Sequence, residues 1–128
     1  MIRKNILIIE DDPDLRETIA FALQAEGYST LVASNGRHVL DLLLEHDVVG
    51  EPISCIVLDL MMPEMDGQEF LETLHSRYPE MAKIPVLVAT AVGGNVQTVS
   101  IPYAVHRIQK PMELDELYSA VRESCANL

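Results

Sequence analysis

Short apolar runs alternate with stretches of helical periodicity along the whole chain. Runs of strand length occur at residues 5–9, 29–33, 53–58, 86–89 and 103–108, and we predict one β-strand from each. The first, third and fourth runs are nearly all apolar, which is typical of strands buried on both faces. The second and fifth runs are more polar. The pattern therefore predicts three central strands and two edge strands.

Helical periodicity fills most of the gaps between these strands. Asp12 followed by Pro13 is typical of an N-cap with proline in the first turn, Gly27 is typical of a helix end, and Asp66 with Glu69 forms a capping-box pattern. The first helix has Leu15, Ile19, Ala22 and Leu23 on one face, and the second contains Val39, Leu40, Leu43 and Leu44. We expect Phe70, Leu71 and Leu74 of the third helix to face inward, and Leu114, Leu117 and Val121 mark the last helix.

One crossover segment has a poor helical pattern. Residues 92–102 contain two adjacent glycines, a series of β-branched residues and a final proline, Pro102. Helix propensity is low for such a sequence, and a helix does not continue through proline without a kink. We expect a short, distorted fourth helix or an irregular loop here.

Strands that alternate with helices predict an α/β fold with a parallel sheet and right-handed crossovers. Three apolar central strands and two polar edge strands fit a flavodoxin-like, doubly wound, five-stranded sheet of order 2-1-3-4-5. A chain of 128 residues has the length of one domain, so we expect residues 1–128 to form a single domain.

Charge and cysteine usage narrow the possible partners and compartments. Nine Lys and Arg against 20 Asp and Glu give a net charge of -11, which disfavours direct binding to nucleic acid or to an anionic membrane. Cys55 and Cys125 have neither metal-ligand spacing nor the density of a disulfide scaffold. The first apolar run is too short for a signal peptide, and no run approaches the roughly 20 residues of a membrane span. We expect a cytoplasmic protein.

Chemically competent residues follow the predicted strands. Glu10 and Asp11 come after the first strand, Asp59 after the third, Thr90 after the fourth and Lys110 after the fifth. In this sheet order, functional groups gather at the carboxyl ends of the strands. Crowded carboxylates favour a hard cation such as Mg²⁺, and a cation with a lysine can neutralise a transferring phosphoryl group. This pattern predicts Mg²⁺-dependent phosphorylation of an aspartate.

Four sequence segments resemble one known family. Residues 6–12, residues 57–67, the pair Thr90-Ala91 and the pair Lys110-Pro111 resemble the CheY-like receiver domain of two-component response regulators, in order and over about residues 4–125. The resemblance implies a phosphoacceptor signalling domain rather than an enzyme, although such domains assist their own phosphorylation and dephosphorylation. It implies a sensor histidine kinase or phosphotransfer protein as donor and a downstream protein partner that the sequence does not identify.

Residue roles follow from the same resemblance. Asp59 becomes the phosphoacceptor, Asp11 a direct Mg²⁺ ligand, Glu10 a ligand that acts mainly through water, and the backbone carbonyl of Met61 a third protein ligand. Mn²⁺ is expected to substitute for Mg²⁺. Thr90 is expected to bond the phosphoryl oxygens and to shift on phosphorylation.

Lys110 is expected to contact the same oxygens, whereas another position departs from the family. Arg107 stands where many receivers have Tyr or Phe as a rotameric switch that works with Thr90. A guanidinium does not bury as an aromatic ring does. We therefore expect atypical signalling through this surface, with the chemistry at Asp59 intact.

Three other functions compete with this interpretation of the residues. A haloacid-dehalogenase-like phosphatase would have a second aspartate where Met61 stands, and a flavodoxin-like FMN module would not place Glu10 and Asp11 against a phosphate. A pseudo-receiver that binds partners without phosphorylation is the main alternative, although the acidic pocket is complete. The sequence leaves open whether the chain acts alone or as the receiver of a larger regulator or hybrid kinase.

Overall fold

The structure is a computed structural model, and it describes residues 4–35, 38, 53–59, 67–77, 84–90, 104–109 and 113–126. The strands are β1 (Asn5–Ile9), β2 (Ser29–Ala33), β3 (Ile53–Asp59), β4 (Val86–Thr90) and β5 (Ala104–Gln109), and the helices are α1 (Pro13–Ala25), α2 (Gly67–Arg77) and α3 (Leu114–Ala126). The predicted helix with Val39, Leu40, Leu43 and Leu44, and the segment 92–102, lie outside the described residues.

All five strands form one parallel sheet in the order β2-β1-β3-β4-β5, which confirms the predicted fold class and strand order. Every residue of β1 is buried, whereas in β2 only Ala33 is. A central strand has neighbours on both sides and is covered on both faces, so it tolerates few polar side chains. The polar character of β2 follows from its place at the sheet edge.

Helix α1 begins and ends at the residues that the sequence indicates. The Asp12 carboxylate accepts hydrogen bonds from the backbone N–H groups of Asp14, at 3.0 Å, and Leu15, at 3.3 Å. Pro13 occupies the first turn, where its missing N–H removes no helical hydrogen bond. Gly27 follows the helix with a φ of +98°, a conformation that L side chains rarely adopt. The chain can therefore leave α1 and enter β2 within three residues.

A hydrophobic cluster joins the sheet to α1 and α3. It contains Ile6, Ile8, Cys55, Val57 and Leu87 from the strands, and Ile19, Ala20, Leu23, Leu117, Ala120, Val121 and Cys125 from the helices. The alternate β1 residues, Leu7 and Ile9, point to the opposite face of the sheet and are also buried. The sheet is therefore covered on both faces, as a doubly wound fold requires. Among the described helices, none is long and apolar enough to cross a membrane.

Candidate functional site

The backbone register aligns two acidic positions on neighbouring strands. Ile9, the last residue of β1, pairs with Leu58 of β3. The next residue on each chain segment is acidic, Glu10 after β1 and Asp59 at the end of β3. Because each follows a paired residue, these two positions are level at the carboxyl edge of the sheet. Their strands are neighbours and lie about 4.8 Å apart.

The same edge continues across β4 and β5. Asp59 pairs with Ala89, the residue before Thr90, and Thr90 pairs with Gln109, the residue before Lys110. The backbone thus brings Asp59 and Thr90 to one edge with Glu10. Lys110 and Met61 lie outside the described residues, as do the side chains of Asp59, Thr90 and Arg107, so their predicted roles stay predictions.

The two acids after β1 differ sharply in exposure. Glu10 is only 3 % exposed, whereas the adjacent Asp11 is exposed. The backbone N–H of Glu10 donates to the carbonyl of Ala33 at 3.1 Å, so Glu10 continues the pairing of β1 with β2 beyond the last strand residue. Asp11 then leaves the sheet with its side chain in contact with solvent. Of the two acids, Asp11 is therefore the one whose side chain solvent reaches.

Asp12 has a separate, structural role. Its carboxylate caps α1, and its carbonyl accepts the Arg16 backbone N–H at 2.9 Å. A carboxylate at a helix N-terminus satisfies free N–H groups and complements the helix dipole. The three consecutive acids of this turn thus divide into a buried, an exposed and a capping residue.

The donor chemistry at this edge fits a hard cation. Glu10 and Asp11 offer carboxylate oxygens, and the predicted set adds the Asp59 carboxylate and the Met61 carbonyl, which are also oxygen donors. Mg²⁺ prefers such ligands, whereas softer metals prefer sulfur or imidazole. Within the described ranges themselves, no three His, Cys, Asp or Glu residues are grouped so as to hold a metal. The complete predicted set depends on Asp59 and Met61.

Sequence reasoning missed two features next to this turn. The Arg16 guanidinium donates from Nη1 to the carbonyl of Glu10 at 3.0 Å. On the outer side of α1, Phe21 is 75 % exposed and lines a groove of about 590 Å³ against Leu114 and Tyr118 of α3. The only sequence signal for Phe21 is an aromatic residue out of phase with the buried helix face. Arg16 gives no signal, because its acceptor is a backbone atom.

Comparison with known families gives a match over most of the chain. The family described as "Response regulator receiver domain" matches residues 6–122. The chain is 32 % identical over 123 residues to a "Putative response regulator NtrX-like" of Rickettsia bellii, which covers 94 % of the chain and 24 % of that protein. It is 33 % identical over 120 residues to "Response regulator RR06" of Streptococcus pneumoniae, which covers 92 % of the chain and 51 % of that protein. The chain thus spans a quarter to a half of these relatives.

Solved structures resemble the chain over nearly its full length. The signal receiver domain of a signal transduction histidine kinase from Syntrophus aciditrophicus superposes with a TM-score of 0.77 at 29 % identity, covering 98 % of this chain and 92 % of that one. The response regulator protein TrrA of Thermotoga maritima, solved in complex with Mg²⁺-BeF, gives a TM-score of 0.78 at 26 % identity, covering 94 % and 98 %. Both likenesses cover more than nine-tenths of each chain.

Proposed function

This chain belongs to the response regulator receiver family, the signalling domains of two-component systems, and we propose that residues 1–128 form one such domain with Asp59 as its phosphoacceptor. A sensor histidine kinase or phosphotransfer protein donates the phosphoryl group, and phosphorylation changes the binding of a downstream protein. The main support is the register that brings Glu10, Asp59 and Thr90 to one edge of the sheet.

The proposed transfer is a direct displacement at phosphorus. A carboxylate oxygen of Asp59 forms the new P–O bond, and the P–N bond to the donor histidine breaks. The bonding electron pair leaves with that nitrogen, and the donor, which has a proton on its other nitrogen, departs as neutral imidazole. With acetyl phosphate the P–O bond breaks instead, and acetate leaves. The product in both cases is an aspartyl phosphate.

The residues around Asp59 would hold the charges in this reaction. Glu10, Asp11 and the Met61 carbonyl would hold Mg²⁺, for which Mn²⁺ would substitute. When bound, the cation supplies positive charge that offsets the repulsion between the carboxylates and the incoming phosphoryl oxygens. Thr90 and Lys110 would contact these oxygens in the product.

Arg107 would alter how phosphorylation reaches the partner surface. Its backbone pairs with Val88 in the β4–β5 ladder, two residues before Thr90. An arginine here would not provide the buried aromatic switch of many receivers. We therefore propose that the signal leaves by a route other than coupling between Thr90 and residue 107. NMR shifts on BeF₃⁻ binding test this, and large shifts confined to residues 92–107 would count against it.

The surroundings of the domain are proposed from its composition. We propose a cytoplasmic location, because Cys55 and Cys125 lack the density of a disulfide scaffold, and no direct contact with nucleic acid, because the net charge is -11. One relative from Escherichia coli is named "Transcriptional regulatory protein GlrR". The chain covers only 26 % of that protein, so what the name describes is not carried over to this chain.

Intact-protein mass after incubation with acetyl phosphate tests the proposal. The wild-type protein should gain one phosphoryl group with Mg²⁺ and none with EDTA, and Asp59→Asn should gain none under either condition. A folded wild-type protein that gains no phosphoryl group, from acetyl phosphate or from a cognate kinase, would instead be a pseudo-receiver.

A further inference from the structure

The main chain at Glu10 is held from two directions. The backbone N–H of Glu10 donates to the carbonyl of Ala33 in β2 at 3.1 Å. The backbone carbonyl of Glu10 accepts from Nη1 of Arg16 in α1 at 3.0 Å. Both main-chain hydrogen-bonding groups of Glu10 are therefore occupied, one by the sheet and the other by a cationic side chain.

Arg16 also holds the other end of the same turn. Its backbone N–H donates to the carbonyl of Asp12 at 2.9 Å, and the Asp12 carboxylate in turn caps α1. One residue thus contacts the carbonyls of both Glu10 and Asp12, the neighbours of Asp11. The exposed Asp11 carboxylate projects from a backbone that is held on each side of it.

We propose that Arg16 is a positioning residue for cation binding, an inference that rests on the proposed function of Glu10 and Asp11. Mg²⁺ requires near-ideal octahedral geometry, so its ligands must be oriented before it binds. Residues that orient metal ligands without touching the metal typically affect metal affinity by about 10–100-fold when they are replaced. Arg16 has this relation to Asp11, because it fixes the peptide that precedes the carboxylate.

The charge of Arg16 is directed at the backbone rather than at the cation. Arg16 is half-buried, and its guanidinium donates to the carbonyl dipole of Glu10. A hydrogen bond from a charged donor is stronger than one between neutral groups. Lysine keeps the charge but not the planar fork of arginine, so it would hold the Glu10 carbonyl less rigidly. The order of cation affinity should therefore be arginine, lysine, alanine.

Isothermal titration with MgCl₂ alone tests this order on the full chain. We expect Arg16→Ala to weaken Mg²⁺ binding by about 10–100-fold and Arg16→Lys to give an intermediate affinity. Arg122→Ala is the matched control, because it removes the same charge from an exposed position on α3. Its Mg²⁺ affinity should equal that of the wild type.

Thermal unfolding with and without Mg²⁺ separates positioning from simple destabilisation. A purely structural role for Arg16 would lower Tm while leaving Mg²⁺ affinity at the wild-type value, and that result would overturn the inference. The Lys variant keeps the test valid if the Ala variant does not fold. A failure of Asp59 to be phosphorylated would contradict the proposed function. It would not affect the test of Arg16, because Mg²⁺ binding is measured without phosphoryl transfer.

Discussion

The two ends of strand β1 are completed in different ways. At the carboxyl end, Glu10 and Asp11 lead into a turn, and the guanidinium of Arg16 in α1 donates a hydrogen bond to the Glu10 carbonyl. The Asp11 carboxylate is exposed. At the amino end, Nζ of Lys4 donates to the carbonyl of Cys125 in α3 at 2.6 Å. The backbone carbonyl of Lys4 accepts a hydrogen bond from the backbone N–H of Ser29 at 3.0 Å. The first end presents the Asp11 carboxylate to solvent, whereas at the second end Lys4 joins the start of β1 to α3.

Toward the amino end, burial keeps the titratable thiols and the tyrosine in their neutral forms near pH 7. Cys55 of β3 is fully buried, and burial, together with the nearby Cys125, raises the pKa of its thiol to about 12. Burial also raises the pKa of Cys125 and of Tyr28. These thiols are neutral and unreactive near pH 7. Among the described residues, the carboxyl end of β1 therefore has an exposed carboxylate, whereas the two thiols near its amino end are buried and neutral.

The largest expected effect comes from the exposed acid of the turn. Asp11→Asn should reduce Mg²⁺ affinity by more than the roughly 10–100-fold that changes to outer-shell partners cost, because a direct ligand loses its charge. Titration with MgCl₂ measures this directly. The matched control is Asp12→Asn, since asparagine also caps helices. Equal losses in the two variants would contradict the division of roles within the turn.

The buried Cys55 thiol, near the amino end of β1, should make the free energy of unfolding depend on pH. Cys55 has an ordinary pKa of 9.0 when unfolded and about 12 when folded, so the unfolded chain releases its proton first as pH rises. The resulting stability is fully present below pH 9 and falls by up to about 1.4 kcal/mol per pH unit as pH rises from 9 toward 12. Urea unfolding between pH 8 and 11 measures the slope.

Cys55→Val is the control for this slope, because it keeps an apolar side chain of similar size. The variant should lose most of the slope, and a residual part should persist from Cys125 and Tyr28, whose pKa values are also raised. An unchanged slope in Cys55→Val would show that the buried thiol is not its cause.

A smaller effect is expected at the helix cap. Asp12→Ala removes the acceptor for two N–H groups of α1 and should lower the free energy of unfolding by about 1 kcal/mol. Its Mg²⁺ affinity should remain close to that of the wild type if the cap is not a ligand. Chemical denaturation and Mg²⁺ titration of the same preparation distinguish the two properties.

The smallest effect is expected from Lys4→Met. The lost hydrogen bond to Cys125 should lower the free energy of unfolding by only about 0.5 kcal/mol, because Lys4 is exposed and water competes for its ammonium group. Phosphorylation of Asp59 should proceed at the wild-type rate. A slower rate would mean that the two ends of the sheet are coupled.

All five strands lie where the sequence predicts them, and burial explains the apolar pattern of the three central strands. β1 and β2 begin and end as predicted, at Asn5–Ile9 and Ser29–Ala33. The other three strands extend one residue further than predicted at their carboxyl ends, to Asp59, Thr90 and Gln109. These residues are polar, so the apolar pattern stops before the backbone pairing does. The additional residues include two of the predicted site positions.

The supporting contacts of the site could not be predicted in the same way. Arg16 appears in sequence only as a polar residue on α1, and its partner is the carbonyl of Glu10. The groove beside Phe21 depends on where α3 lies relative to α1, because residues of both helices line it. Hydrophobic periodicity identifies buried faces, but it contains no information about which backbone atom a long side chain reaches. Such contacts require the tertiary structure.

The most direct test of the central claim locates the phosphoryl group in the chain. After reaction with acetyl phosphate and Mg²⁺, borohydride reduces an aspartyl phosphate to homoserine, and peptide mass spectrometry identifies the position. We expect homoserine at Asp59 alone, formed only when Mg²⁺ is present. Homoserine at Asp11 or another aspartate, or hydroxynorvaline from a glutamyl phosphate at Glu10, with Asp59 unmodified would contradict this assignment.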